Sequence, residues 1–361
     1  MAMAYNKMIQ TKKILFYGSF TGGGTERITY NLASALAEKK QHDIYVMNTR
    51  PKRPRFNLSP KVTYCCLGNE TRRHRSIIGT IFGVRGFIKN HDFDIVVSIE
   101  ALPGIVLIPA TFGLKCRTIV WEHANYYQTQ GSRWTRIIRK IWLKIASRYV
   151  VLTKRDKNNF ETHEHPRCPI VQIYNPVAIT RSGAYNSAST QIMSAGHLVS
   201  IKQFHLIPQI FASMASKYPK WTWHIYGEGP ERAHIEAEIA KYGLQNRVLL
   251  EGAFSEIDSI YARSSIYVLT SRQEGLPTVL IEAQMHGLPA VSFDIETGPD
   301  EIIIPDVTGF LIKPYDTESM SMKIEELIEG EQLRRDLSSE TTRLFEKFSF
   351  QSSVEQWQQL I

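Results

Sequence analysis

Cysteine is scarce in this chain, four residues in 361, and two of them, Cys65 and Cys66, are adjacent. They build neither a disulfide framework nor a metal-ligand spacing, which argues for a reducing, cytoplasmic setting. No apolar run is long enough to span a bilayer: the longest uncharged stretch, 101–114, falls short of ~20 residues and contains Pro103 and Pro109. The first residues lack the apolar core and cleavage site of a signal peptide. There is no GxxxxGK[ST] loop, so ATP use is not supported. There is also no helix-turn-helix, zinc or RNA-binding motif, so nucleic acid is not expected as a partner. Asp92-Phe93-Asp94 spells a metal-binding triplet, but it runs straight into the apolar segment 95–99 and reads as a strand entrance. His163, His165 and Cys168 lie in a Pro-interrupted polar stretch with no second pair of ligands, so no metal is expected.

What the chain does have is charge asymmetry. Through Ala178 there are 28 Lys and Arg against 11 Asp and Glu, a balance of +17, whereas the remaining 15 and 24 give −9. Two bodies with different partners are implied. Segment 133–148, RWTRIIRKIWLKIASR, places Arg133, Arg136, Arg139, Lys140 and Lys144 at helical spacing among Trp134, Ile137, Ile138, Ile141 and Trp142. It reads either as a basic helix on an anionic membrane surface or as a core helix with a solvated basic face.

The apolar pattern is that of alternating short strands and helices. Segment 12–17 (KKILFY) is a strand, followed by a glycine-rich loop, a helix with apolar residues at 28, 32, 35 and 36, and a strand at 42–48. Further strands are expected at 95–99, 118–121 and 149–152. After a Ser/Gly/Asn-rich linker near 180 the alternation restarts, with strands at 191–195, 221–226, 248–251, 266–269, 290–293 and 309–312. The intervening helices include 202–217, 231–242, 256–264 and 278–286. The economical fold is α/β, two Rossmann-like domains facing a cleft: residues 1–178 on the acceptor and membrane side, 179–345 binding a nucleotide, and 346–361 a helix crossing back to the first domain. Ligands of such sheets lie beyond the carboxyl ends of the strands, so function is sought there.

The richest such segment is 271–289, SRQEGLPTVLIEAQMHGLP. A strand ends before Glu274-Gly275-Leu276-Pro277, and a helix begins at Thr278 with Glu282 in its second turn. Uncapped N–H groups at the helix start suit an anion, and the carboxylates suit sugar or ribose hydroxyls. The competing reading is an ordinary capping loop with a solvated Glu. This stretch, with the loop after strand 191–195 that reads Gly196-His197 and ends at Lys202, resembles the retaining GT-B glycosyltransferases of glycosyltransferase family 4. The resemblance covers most of the chain and is best over 194–312.

That resemblance implies a hexosyl or N-acetylhexosaminyl transferase that uses a nucleotide sugar, with UDP as the expected nucleotide and no metal or other cofactor. It implies that Glu274 contacts donor-sugar hydroxyls, that Glu282 binds the ribose, and that backbone from Gly275 through Leu276 and Pro277 to Thr278 holds sugar and diphosphate. Lys202 would clamp the diphosphate. His197 stands where the family usually has arginine; a neutral ring can still donate one hydrogen bond but loses the fork and permanent charge. Gly227 would let the chain pass close to the nucleotide, and Gly252, Ala253 and Phe254 would line the base. In the first domain, Gly22, Gly23, Gly24 and Thr25 resemble the family's acceptor loop, and His123 its catalytic-loop histidine, near the donor sugar. Lys202, His123 and Glu274 are thus the expected catalytic residues. The run 297–303 is similar to bacterial members that build surface polysaccharide, which implies a saccharide acceptor, polyprenyl-diphosphate-linked, and a peripheral position on the cytoplasmic face of the inner membrane. Two other readings compete: a nucleotide-sugar epimerase of the same fold, and a catalytically degenerate scaffold at the membrane.

Overall fold

The computed structural model describes residues 11–20, 23–39, 42–50, 53–67, 76–128, 132–178, 185–253, 257–344 and 346–361. The chain divides into two compact units, one formed by Met1–Pro176 with Ser353–Ile361, the other by Val177–Ser352.

The first unit is built on seven parallel strands: β1 (Lys12–Gly18), β2 (His42–Asn48), β3 (Thr63–Cys66), β4 (Ile95–Ile99), β5 (Arg117–Trp121), β6 (Arg148–Val151) and β7 (Ile170–Gln172), in the order β3-β2-β1-β4-β5-β6-β7. The second has six: β8 (Gln191–Ala195), β9 (Thr222–Tyr226), β10 (Val248–Gly252), β11 (Ile266–Leu269), β12 (Ala290–Phe293) and β13 (Gly309–Ile312), in the order β10-β9-β8-β11-β12-β13. Strand order therefore reverses between β1 and β4 in one sheet and between β8 and β11 in the other. Those reversals leave a crevice beyond the strand ends.

The central strands carry runs of residues buried on both faces, as parallel strands covered by helices do. Ile14, Leu15 and Phe16 of β1 and Tyr267 and Val268 of β11 are fully buried. The two edge strands β3 and β7 are additional to the sequence reading. They have four and three residues, too few for a period to declare itself. In β3 the cysteine pair serves as packing: both are buried, and the Cys65 thiol faces the Val46 carbonyl at 3.5 Å.

One helix differs in a way that matters for the site. The segment expected as a single helix from 202 begins instead with 3-10 turns, Ser200–Lys202 and Phe204–Leu206, hinged at Gln203 with φ +52°. The α-helix runs only over Ile207–Ala215, because Pro208 lacks an N–H and fits only a first turn. Lys202 thus sits on a tight turn. The closing helix Phe350–Leu360 buries Trp357, whose ring lies 4.8 Å from Trp121 and 6.5 Å from Phe16.

Candidate functional site

In the second unit the strand-order reversal brings together the turns after β8 and β11. The Lys202 ammonium meets Glu274 Oε1 at 2.5 Å, and the two side chains are only 16% and 12% exposed. The Ser271 hydroxyl donates to the same oxygen at 2.6 Å, and the Thr297 hydroxyl donates to the Glu274 carbonyl at 2.6 Å. Thr270 Oγ1 donates to the Lys202 carbonyl at 2.8 Å, locking one turn to the other. Beside this pair the helix Thr278–Met285 starts at Pro277 with no side-chain cap. A helix start of this kind presents unsatisfied N–H groups and a positive dipole end to an anion.

Glu282 lies in that helix and is 2% exposed. Tyr261, which the sequence reading did not single out, donates its hydroxyl to Glu282 Oε2 at 3.0 Å and also reaches the Val279 carbonyl at 3.1 Å. Tyr261 in turn stacks on His286, which bonds Asp258 at 2.9 Å. Burial first, then the charges of Glu274 and Glu282, pushes the Tyr267 phenol well above its usual range. Both carboxylates follow β11, one in the turn after it and one in the next helix.

Glycines make the close approach of these turns possible. A Cβ on Gly227 would come within 1.8 Å of the Gly196 carbonyl oxygen, and one on Gly229 within 2.3 Å of the Leu198 carbonyl. Gly227 has φ +146° and Gly252 φ +80°, conformations that L side chains rarely adopt. The Gly227 N–H donates to Gly252 O at 2.7 Å, and the Gly196 N–H to Tyr226 O at 2.9 Å. Gly227 was expected to admit a nucleotide; what it visibly admits is the neighbouring backbone after β8. Leu276 is buried and Ala253 exposed. Phe254 and Gly22 lie outside the described residues.

His197 is exposed, and its Nδ1 lies 2.5 Å from the Glu228 carbonyl oxygen. A carbonyl can only accept, so Nδ1 carries the hydrogen. The one hydrogen bond expected of a neutral His197 is made here to the Glu228 carbonyl.

In the first unit His123 follows β5. Burial pushes its pKa down to about 3, its ring packs 4.6 Å from Trp121, and Nε2 has no hydrogen-bond partner among the described residues. It is a neutral imidazole with one nitrogen unmet. Its neighbour Glu122 is buried and accepts from the Tyr149 hydroxyl at 2.8 Å. Gly23 caps the helix Gly24–Glu38 without a side-chain bond, and a Cβ on Gly23 or Gly24 would meet nothing within 4 Å. Of the metal-like triplet, Asp94 Oδ2 accepts from the Lys13 N–H at 2.8 Å, and Asp92 ends a helix in the left-handed conformation.

The basic helix Arg133–Ile145 requires one correction. Arg139 is 0% exposed. Its guanidinium donates to the Tyr126 carbonyl at 3.0 Å and lies 4.8 Å over the Tyr126 ring and 5.2 Å over that of Phe160. It cannot meet a surface ligand, because aromatic rings from the segments before and after the helix enclose it. Arg133, Arg136, Lys140 and Lys144 are exposed, and alongside them Trp134 (66%) and Ile145 (54%) also face solvent.

The model of the family described as glycosyl transferases group 1 matches residues 179–344, and that of Glycosyltransferase Family 4 matches residues 22–181. The chain is 27% identical over 338 residues to the amylovoran biosynthesis glycosyltransferase AmsD of Erwinia amylovora, covering 90% of this chain and 92% of that one. It is 23% identical to an α-1,4-N-acetyl-D-galactosaminyltransferase of Campylobacter jejuni whose name specifies a diNAcBac-PP-undecaprenol substrate, over 95% of this chain and 96% of that one. The crystal structure of Anabaena HepE with UDP and glucose superposes with a TM-score of 0.83 at 18% identity, covering 97% and 99% of the two chains.

Proposed function

Because the chain belongs to the glycosyltransferases, with the family 4 and group 1 domains of the GT-B fold, we propose that it moves a hexosyl or N-acetylhexosaminyl group from a UDP sugar to a lipid-linked saccharide. The product belongs to a surface polysaccharide or glycan. The observation that carries the donor assignment is the Lys202–Glu274 pair at the β8/β11 reversal, beside an uncapped helix start. A diphosphate needs a cation and free N–H groups, and a sugar needs carboxylates within reach of its hydroxyls; both stand in one place. UDP as the nucleotide is supported by HepE, whose structure holds it. Surface polysaccharide and a lipid-linked acceptor are supported by the names of the amylovoran and Campylobacter relatives.

In this reading Lys202 and the backbone from Gly275 to Thr278 stabilise the negative charge that grows on the departing diphosphate. Such preorganised charge acts most strongly where water is excluded, and it makes a divalent cation dispensable. Glu274 holds donor hydroxyls, and Glu282, oriented by Tyr261, holds the ribose. His123, in the first unit, is a neutral imidazole whose Nε2 has no partner among the described residues; a role toward the donor sugar is what the family resemblance implies for it. Retention of the anomeric configuration is what the family resemblance implies: the acceptor hydroxyl oxygen bonds to the anomeric carbon on the face from which the diphosphate departs as its C–O bond breaks, and the hydroxyl proton passes to the departing phosphate oxygen. The exposed cations and apolar residues of helix Arg133–Ile145 hold the protein against an anionic membrane face, where the acceptor resides. No helix among the described residues is long and apolar enough to cross a membrane.

Calorimetric titration with UDP tests the donor assignment. Glu282→Ala removes the charged acceptor for the ribose, worth ~1.5–3 kcal/mol, so UDP should bind roughly tenfold to a hundredfold more weakly. Equal affinity in a folded variant would remove Glu282 from the site.

A further inference from the structure

His123 stands on the stretch 122–128 that follows β5. The Glu122 N–H donates to the Val150 carbonyl at 2.9 Å, the last bond of this stretch to a strand. Beyond it, three ionisable side chains hold the backbone. Glu122 Oε1 accepts from the Ala124 N–H at 3.3 Å. Asp156 Oδ1 accepts from the Tyr126 N–H at 2.7 Å, and Arg139 donates to the Tyr126 carbonyl at 3.0 Å. Both polar backbone groups of Tyr126 are thus fixed, from two different elements. Asp156 lies in the first turn of helix Lys154–Glu164, and Arg139 in helix Arg133–Ile145.

Glu122, Asp156 and Arg139 are 2%, 4% and 0% exposed. Taking ionisable groups out of water is costly unless each finds well-placed partners. Stability alone does not ask for them at a strand end, because apolar residues of similar volume often pack as well or better. Here each has partners. The Tyr149 hydroxyl donates to Glu122 Oε2 at 2.8 Å. The Asp156 N–H donates to Thr153 Oγ1 at 3.0 Å, and Arg139 lies over the rings of Tyr126 and Phe160. Burial pushes the Glu122 carboxyl up, and the Tyr149 hydroxyl and the Arg139 charge pull it back. What the three groups share is the backbone that carries His123.

The His123 ring has little hold of its own. It packs against Trp121 with centroids 4.6 Å apart, and Nε2 has no hydrogen-bond partner among the described residues. Its place is set by that packing and by the backbone on which it stands.

We propose that Arg139, Asp156 and Glu122 are positioning residues for His123: by fixing the peptide groups of Ala124 and Tyr126 they hold the imidazole in one place. The assignment rests on the role that the family resemblance implies for His123, and names the side chains on which that role depends. The basic helix then has two unlike faces, one of exposed cations and one whose buried arginine serves the His123 turn.

NMR titration of the imidazoles in the full chain tests this, with His123 assigned by the signal lost in His123→Asn. In the unaltered chain His123 should stay neutral over the pH range in which the chain is folded, in line with its lowered value of about 3. Arg139→Met keeps the bulk and removes the donor, and Asp156→Ala removes the acceptor. Each should raise His123 toward the ordinary 6.5 by about one unit or more, because a loosened turn admits water. Asp156→Asn keeps an acceptor for the Tyr126 N–H and should restore most of the unaltered behaviour. Release of UDP from UDP-glucose or UDP-N-acetylglucosamine should fall at least ~tenfold in Arg139→Met and Asp156→Ala, since a small misplacement of a reacting group costs that much or more. Calorimetric affinity for UDP, assigned to the second unit, should not change. Leu36→Ala, at a buried position of helix Gly24–Glu38, lowers stability away from the turn and should leave the His123 titration alone. Should Arg139→Met fail to fold, Asp156→Ala against Asp156→Asn makes the same comparison. The proposal is overturned if His123 titrates alike in folded Asp156→Ala and the unaltered chain, or if Leu36→Ala shifts it equally. UDP release undiminished in folded Asp156→Ala would also overturn it. The expected His123 shifts in a chain that binds no UDP would leave these contacts standing and defeat the donor reading instead.

Discussion

Replacing Glu274 by Gln should separate binding from turnover in opposite directions. Lys202 is held by Glu274 at 2.5 Å, with both side chains largely withdrawn from water. A diphosphate must win that ammonium from the carboxylate and tolerate the carboxylate nearby. Two unit charges about 4 Å apart attract by ~4 kcal/mol at an effective dielectric of 20, but desolvation and side-chain ordering cancel much of this, and exposed pairs measure ~0.2–1 kcal/mol. For a pair this sheltered about 1–2 kcal/mol is a fair net value. Gln keeps an acceptor for the Ser271 hydroxyl and removes the charge. UDP, which lacks the sugar, should therefore bind roughly 5- to 30-fold more tightly, since 1.4 kcal/mol is a factor of ten. Transfer to acceptor should fall by at least a hundredfold, because the donor sugar loses its carboxylate. Calorimetry with UDP and a product assay read the two quantities independently. UDP affinity that is unchanged or weaker would show that Lys202 is not shared between the glutamate and the diphosphate, and the electrostatic account would fail.

Other outcomes follow from the same geometry. Chelation of divalent cations should leave transfer undiminished; loss of activity restored by manganese would refute the role given to Lys202 and the helix start. Gly227→Ala places a methyl group 1.8 Å from the Gly196 carbonyl at φ +146°, so it should destabilise by several kcal/mol, on the order of other strained or overpacked sites, and lower the thermal midpoint accordingly. Neutralising Arg133, Arg136, Lys140 and Lys144 together should weaken sedimentation with anionic liposomes without changing stability, whereas Arg139→Ala should cost about 3–5 kcal/mol of stability, the range for breaking a buried charged arrangement. His123 has a folded pKa near 3 against 6.5 for an unburied imidazole, so the unfolded chain takes up its proton first. Its contribution to stability is complete above pH 6.5 and disappears as pH falls toward 3. His123→Asn should flatten that part of the acid-unfolding curve, and an unchanged curve would refute the burial argument.

The sequence by itself determined the α/β class, the restart of the βα alternation after residue 180 and the family. These rest on local chemistry: β-branched runs make buried parallel strands, glycines mark strand-to-helix turns, and the spacing of Glu274, Gly275, Pro277 and Glu282 survives without any knowledge of distant partners. Only the tertiary structure decided what those residues face. Helical spacing put Arg139 among the surface cations, yet Tyr126 and Phe160, from segments on either side, close over it. Periodicity ran one helix through Lys202 until Pro208 set its start, and that start is what frees Lys202 to reach a residue 72 positions away. Tyr261 behind Glu282, the His197 bond to the Glu228 carbonyl and the Glu100 N–H bond to Trp121 had no local signature, because each depends on a group brought near only by sheet order. Periodicity records which residues share a face of one element; which face meets another element, and with what polar partner, is fixed when the strands pair.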